Sequence, residues 1–575
     1  MKNFLLTLLI LLQTFFISYT SFAQWSSDPA VNLQVCDVSG EQVLPKIANT
    51  KDGGSFICWF DNRNGSYTVY LQKINALGVK QFAPDGLLVS SFPQSSSLVD
   101  YDMISDDSNN AIIAFTDLRN GSNINPFAYK ISSQGDFLWG SGVMLSNDGI
   151  AYQANPKVIK TSDNNFIFTW IFGSSPNAIA FQKLSPSGVK LWGGGSPVFL
   201  TGAGSENFTY PAIVASDNGT SIAMWSGYSG SFINPLNYKL YSQKFSSTGA
   251  LVWKDTVYNL GRVTGFFVPK IFTDDNDGAL CVWQDDRNAV NVQSTFVQHY
   301  TSAGTKLFPV NGTEASTMND FNKFDACAAY MKSTGETYLV WKHANSLQSS
   351  FAIYGQRLST GGTRMWTDDG KQLVSFSNDS YINQLCFIKD TSMTAAYNKS
   401  IFGSADNVQF AFMTNREGAL GWGGTVKEIG NITGGKSKIV GAIDANGMTK
   451  IAWSDERSGA DGIYAQNINF DGTLGNPTGI GNTNGAVPVS FNLSQNYPNP
   501  FNPKTIIHYE IKGPAYVSLK VYNALGNEIE SLVNEKQNAG TYEITFDGVS
   551  LASGVYFYRL NAGEFSETRR MVLVK

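Results

Sequence analysis

Eight aromatic residues recur along the chain at nearly equal intervals, and no other feature restricts the possible fold so tightly. Trp59, Phe115, Trp170, Trp225, Trp283, Trp341, Tyr397 and Trp453 each close a short apolar run, with successive spacings of 56, 55, 55, 58, 58, 56 and 56 residues. A period of this length marks stacked supersecondary units. Around each anchor the order repeats: an apolar strand, a turn, the strand ending in the aromatic, a polar loop, a third strand, a turn and a fourth strand. The first turn carries pairs that tolerate positive φ, such as Asp52-Gly53, Asn218-Gly219, Asp277-Gly278 and Asn446-Gly447. The third strand recurs as Tyr70-Leu71-Gln72, Tyr241-Ser242-Gln243, Tyr354-Gly355-Gln356 and Tyr464-Ala465-Gln466. A turn glycine then precedes another aromatic by four residues, as in Gly135 to Trp139, Gly188 to Trp192, Gly249 to Trp253, Gly304 to Phe308 and Gly418 to Trp422. Four strands per unit without helical periodicity make each unit a propeller blade. Near-continuous apolar runs such as Ala279 to Trp283 fit strands packed between two neighbouring sheets.

The competing architecture is a solenoid of stacked β-units, and the ends of the repeat region argue against it. The eighth unit has three strands and then, from Thr473 to Gly479, lacks an aromatic fourth strand. The segment Gln24 to Val35 precedes the first unit and has none of its own. Trp25 with Val31 and Leu33 has the same offsets as Trp192 with Val198 and Leu200, so this segment is expected to supply the missing strand. Such pairing would close the ring and remove an exposed sheet edge. The expected fold class is all-β: an eight-bladed β-propeller over 24–474, a Gly/Asn-rich linker over 475–492, and a small immunoglobulin-like β-sandwich over 493–575.

At the amino end, Lys2 precedes the apolar run Phe4 to Ile17, and Ser21-Phe22-Ala23 places small residues at a cleavage site before Gln24. This pattern reads as a signal peptide over 1–23; the run is shorter than the ~20 residues of a spanning helix, and no later stretch is apolar enough to be a transmembrane segment. Cys36, Cys58, Cys281, Cys327 and Cys386 are an odd number without CxxC spacing. They give neither a zinc signature nor a disulfide framework, and they read as buried hydrophobes.

The C-terminal region alternates short apolar runs with turns, about seven strands in about 80 residues, as an immunoglobulin-like sandwich does. It carries Gln495-Asn496-Tyr497-Pro498-Asn499-Pro500-Phe501-Asn502-Pro503, then Leu519 to Gly526, Ala539-Gly540-Thr541-Tyr542, Leu551 to Tyr558 and the terminal Met571-Val572-Leu573-Val574-Lys575. In that order these motifs resemble the type A C-terminal sorting domain of the type IX secretion system, and in part the immunoglobulin-like domain of flagellar hook-capping proteins. The resemblance implies passage across the outer membrane by the type IX machinery, its partner, and a secreted or cell-surface location. It also implies that the sorting domain is removed, with the passenger released or attached to surface lipopolysaccharide.

Candidate chemistry is sparse. A net charge of -5 with no basic cluster excludes a nucleic-acid footprint. Four second-to-third-strand loops begin alike, with Asp61 and Arg63, Asp117 and Arg119, Asp285 and Arg287, and Asp455 and Arg457. Blades eight, one and two adjoin in a closed ring, so Asp61, Arg63, Asp117, Arg119, Asp455 and Arg457 are candidate ligand-binding residues for an extracellular glycan or protein. The alternative, favoured by repetition at one structural position, is a salt bridge that ties loops or blades together. No pair of carboxylates is singled out for glycoside hydrolysis. Asp274-Asp275-Asn276-Asp277-Gly278 lacks the ligand spacing of a calcium loop, and His299, His343 and His508 fall in separate units, as surface or packing residues. The glycine-to-tryptophan spacing resembles the tryptophan-docking hairpin of quinoprotein propellers in how blades pack, without their quinone-binding cysteines. The Asp boxes of sialidases are absent in form. No catalytic residue, cofactor or metal is expected. The leading expectation is a binding or adhesion module, and its rival is a polysaccharide-acting hydrolase or lyase.

Overall fold

A computed structural model describes residues 24–94, 99–121, 124–148, 151–173, 176–231, 235–260, 268–476, 481–482, 490–513, 515–537 and 540–575. The signal-peptide expectation and most of the expected linker lie outside these residues. The chain divides into two compact units, Met1–Gly475 and Asn476–Lys575.

The first unit is an eight-bladed β-propeller. Each blade is a four-stranded antiparallel meander, for example Gln42–Asn49, Ser55–Asp61, Thr68–Ile74 and Leu87–Ser90 in blade 1. The first strands of neighbouring blades pack on one another around the whole circuit, the eighth against the first included. They are therefore the innermost strands. Second and third strands are buried along their entire length in blades 1, 2, 5 and 8 because both of their faces meet a neighbouring sheet. Apolar clusters fill every seam: Phe56, Cys58 and Phe60 meet Tyr101 and Ile113 between blades 1 and 2, and Trp25, Leu33 and Val35 meet Ile57 and Trp59 between blades 8 and 1.

The fourth strand of blade 8 is Leu33–Cys36, which pairs antiparallel with Gly462–Ile468 in the register Leu33 to Ala465 and Gln34 to Tyr464. Together with Val440–Ile443 and Thr449–Asp455 this sheet joins both ends of the repeat region.

The glycine-to-aromatic spacing has a clear physical cause. The aromatic after each third-to-fourth-strand turn lies against the turn glycine of the next blade. At these glycines φ lies between +72° and +93°, and an added Cβ would meet the ring: Trp139 at Gly188 (3.0 Å), Trp192 at Gly249 (2.9 Å), Trp253 at Gly304 (2.8 Å) and Trp422 at Gly472 (2.5 Å). Phe82, Phe308 and Trp366 dock in the same way on Gly135, Gly362 and Gly418. The indole N–H then donates to the same turn, as from Trp192 Nε1 to the Ser247 carbonyl (2.9 Å) and from Trp422 Nε1 to the Phe470 carbonyl (3.0 Å). Trp25 completes the circle on blade 1, lying on Gly78 and donating to the Ala76 carbonyl (3.1 Å). Every docking contact runs in the same rotational direction, from one blade to the next.

The second unit is a sandwich of two four-stranded sheets around Leu493, Phe501, Tyr509, Leu519, Tyr558 and Leu573. Gly481–Asn482, inside the expected linker, forms an edge strand on Tyr542 and Glu543; backbone pairing at an edge needs no side-chain pattern, so no alternation announces it. Asn496 is buried and its amide donates to Thr505 Oγ1 (2.9 Å), while the Phe501 N–H donates to Val572 and its carbonyl accepts from Val574. The Asn- and Pro-rich motif thus pins the last strand. Among the described residues no helix is long and apolar enough to cross a membrane.

Candidate functional site

Asp61, Asp117, Asp285 and Asp455 end the second strands of blades 1, 2, 5 and 8, and their side chains are 0% exposed. Each carboxylate accepts the backbone N–H of the arginine two residues later, at 3.0 to 3.2 Å. In blades 1, 5 and 8 it also accepts the anchor indole, from Trp59, Trp283 and Trp453, at 2.9 Å. The guanidinium folds back on its own aspartate: Arg63, Arg119 and Arg287 donate from Nε to Oδ1 at 2.9, 3.0 and 2.8 Å. Arg457 donates from Nη2, and its Nε has no partner.

The same guanidinium covers the third-strand aromatic of its blade, Tyr70 (4.0 Å), Phe127 (3.7 Å), Phe296 (3.7 Å) or Tyr464 (4.0 Å). It then reaches the approach to the fourth strand, at the carbonyls of Asp85, Ser141 and Asn311. The residue after each of these carbonyls is a glycine at φ near +80° to +90°, Gly86, Gly142 or Gly312, where a Cβ would stand 2.4 to 2.6 Å from the blade's own aromatic. Blade 8 has no such glycine: Asn32 takes the place, accepting Arg457 on Oδ1 (2.8 Å) and donating to the Ile429 carbonyl of blade 7 (3.0 Å). For Arg63 and Arg119, burial is the largest single influence and works against the charge, but the hydrogen bonds and charge attraction of Asp61 and Asp117, with contributions from other neighbours, together outweigh it and the pKa rises. The six candidate residues therefore form three brackets, each joining the second, third and fourth strands of its blade, and Arg63 and Arg119 also reach the preceding blade, at Cys36 Sγ (3.1 Å) and Ser90 Oγ (3.4 Å). The sequence did not reveal the glycines or Asn32, although a glycine directly before the fourth strand in blades 1, 2 and 5 was a readable signal.

Blade 6 uses a different acceptor at the bracket position. Trp341 Nε1 donates to His343 Nδ1 (3.2 Å), and the ring lies between Phe321 (4.6 Å) and Tyr354 (4.1 Å). Burial, then the nearby Lys323 charge, pushes the His343 pKa down to about 3, so the ring is neutral. His299 is also fully interior. Its Nε2 lies 2.8 Å from Asp274 Oδ2, while Asp274 Oδ1 accepts the N–H groups of Asn276 and Gly278. Lys73, Lys183 and Lys244 make the corresponding contact to Asp52, Asp163 and Asp217 in other blades. The Asp274 to Gly278 run is thus a hairpin tied to the third strand. His508 is part exposed beside Glu543 (3.5 Å).

Two adjoining shallow clefts lie over the fourth strand of blade 1. One, about 340 Å³, is lined by Asn64, Ser66, Leu88, Ser91 and Pro93. The other, about 360 Å³, is lined by Ser90, Ser91, Phe92, Tyr129, Phe137 and Ser141. Phe92 is 41% and Phe137 37% exposed. Arg119 supports this second cleft, with its guanidinium 4.6 Å from the Phe92 ring and donating to Tyr129 Oη (2.7 Å) and the Ser141 carbonyl (2.7 Å).

Bracket and ligand patch predict different outcomes. Replacing Arg63, Arg119 and Arg457 by Ala leaves interior carboxylates uncompensated, so stability should fall stepwise by about 2–3 kcal/mol per substitution. Arg287→Ala in distant blade 5 should cost the same in thermal melts. A triple variant with the parent melting curve and no ligand binding would instead make these residues a recognition patch.

Residues 495–575 match the family described as the secretion system C-terminal sorting domain. The C-terminal unit is thus a type IX sorting domain, and the chain is exported to the cell surface or the medium. No curated protein matches the chain. Among solved structures, an ulvan lyase bound to -[GlcA(1-4)Rha3S]- has 10% identity over 79% of this chain and 96% of its own, with a TM-score of 0.42. A protein of unknown function from Dyadobacter fermentans has 10% identity over 76% and 98%, with a TM-score of 0.36. An α-L-arabinanase from Penicillium chrysogenum, complexed with arabinobiose, has 12% identity over 56% and 94%, with a TM-score of 0.32. Likenesses at these scores carry no argument about activity.

Proposed function

We propose that the propeller is an extracellular binding module that takes an extended glycan along the double cleft of blades 1 and 2. The carrying observation is the pair of rings, Phe92 and Phe137, presented beside Ser91 and Ser141 over a support that Arg119 braces. Sugar rings offer apolar faces to aromatic side chains and hydroxyl edges to serines, and a pre-formed support avoids the ordering cost of binding. Export through the sorting domain brings this surface into contact with extracellular polymers.

A glycan array with the exported protein, followed by a reducing-end release assay on each hit, tests the reading. Binding without turnover is expected, and Phe92→Ala with Phe137→Ala should weaken it at least about tenfold, equivalent to about 1.4 kcal/mol. Turnover would make the protein a polysaccharide-acting enzyme. Absence of glycan binding, or binding indifferent to both substitutions, would remove the cleft as the site.

A further inference from the structure

The five cysteines are all buried, and they are distributed unevenly among the seams. Cys36 lies in the cluster between blades 8 and 1, Cys58 between blades 1 and 2, and Cys281 between blades 4 and 5. Cys327 and Cys386 alone share a cluster, between blades 6 and 7. Cys327 lies in the innermost strand of blade 6, opposite Val340, and Cys386 in the innermost strand of blade 7, opposite Ala395. These two strands pack against each other, and both cysteines enter the one seam between them as free thiols. Among the described residues the blades form separate sheets with no backbone ladder between them.

We propose that Cys327 and Cys386 are joined by a disulfide in the exported protein, a covalent tie between the inner strands of blades 6 and 7. Export takes the chain out of the reducing cytosol, into a setting where disulfides persist. The oxidant is a protein disulfide of the cell envelope. One cysteine, as thiolate, attacks a donor sulfur to form a mixed disulfide; the second then attacks the cysteine sulfur and releases the donor as a dithiol. Two S–H bonds are lost, one S–S bond forms, and two electrons and two protons pass to the donor side. The two cysteines are only 4% and 9% exposed, and the Cys327 thiol together with burial raises the Cys386 pKa, so Cys386 is little ionised and neither sulfur is accessible to a donor protein once the seam has closed. The exchange therefore belongs to folding, before blades 6 and 7 pack.

The test is thiol counting on protein collected from the medium or cell surface, quenched in acid and denatured without reductant. Three alkylated cysteines are expected, rising to five after reduction, with a peptide linking Cys327 to Cys386 in the unreduced digest. Cys327→Ser should leave all four remaining cysteines open to alkylation without reductant. Five alkylated cysteines in the unreduced parent, or a disulfide that survives Cys327→Ser, would overturn the proposal.

Discussion

Cells that make the chain without Gln495–Lys575 should retain a folded propeller and release at least about tenfold less of it. The propeller's eight sheets are all built from strands within Met1–Gly475, and every seam has its own core. The sorting domain likewise has a core of its own. Truncation therefore separates folding from export. Fractionation with a protease-resistance assay reads both properties. A truncated protein reaching the surface or medium in normal amounts would contradict the role assigned to residues 495–575.

Deleting Gln24–Val35 should be as damaging to the fold as the first truncation is to export. The deletion removes Trp25, 3% exposed, from its place on Gly78, and a buried tryptophan alone is worth about 3–5 kcal/mol. It also removes most of the strand paired with Gly462–Ile468, and Asn32, which caps Arg457. The bared strand edge invites pairing between molecules. The expected readouts are a lower melting temperature and association in sedimentation. Trp25→Ala, which keeps the strand, should lower the melting temperature without association. A deletion variant that melts with the parent as a monomer would contradict the closure.

The propeller was legible because its restrictions repeat. The anchors Trp59 to Trp453 record strands buried on both faces, and the glycine-to-aromatic spacing records a docking contact that tolerates no Cβ. Trp25 was legible for the same reason, since it copies Trp192. The bracket partners were not, because a sequence places Asp61 beside Arg63 but says nothing of the Asp85 carbonyl, which the chain brings back only through the third and fourth strands. His343 was opaque because it substitutes for aspartate in one function, accepting the indole N–H, and shares no other property with it. The clefts of blades 1 and 2 left no motif, since Phe92, Phe137 and Ser141 meet through folding alone.

The closing strand also governs the order in which the ring can assemble. Leu33 pairs with Ala465, and Gln466 Nε2 donates to the Ser26 carbonyl across a separation of 440 residues. Within a blade, strands meet across a hairpin, so blades can form as the polypeptide is synthesised. The last sheet cannot form until nearly the whole repeat region exists, and bringing such distant ends together carries the largest loop-closure entropy in the molecule. The first described strand is thus among the last to find its partner, and until it does the eighth sheet lacks its fourth strand.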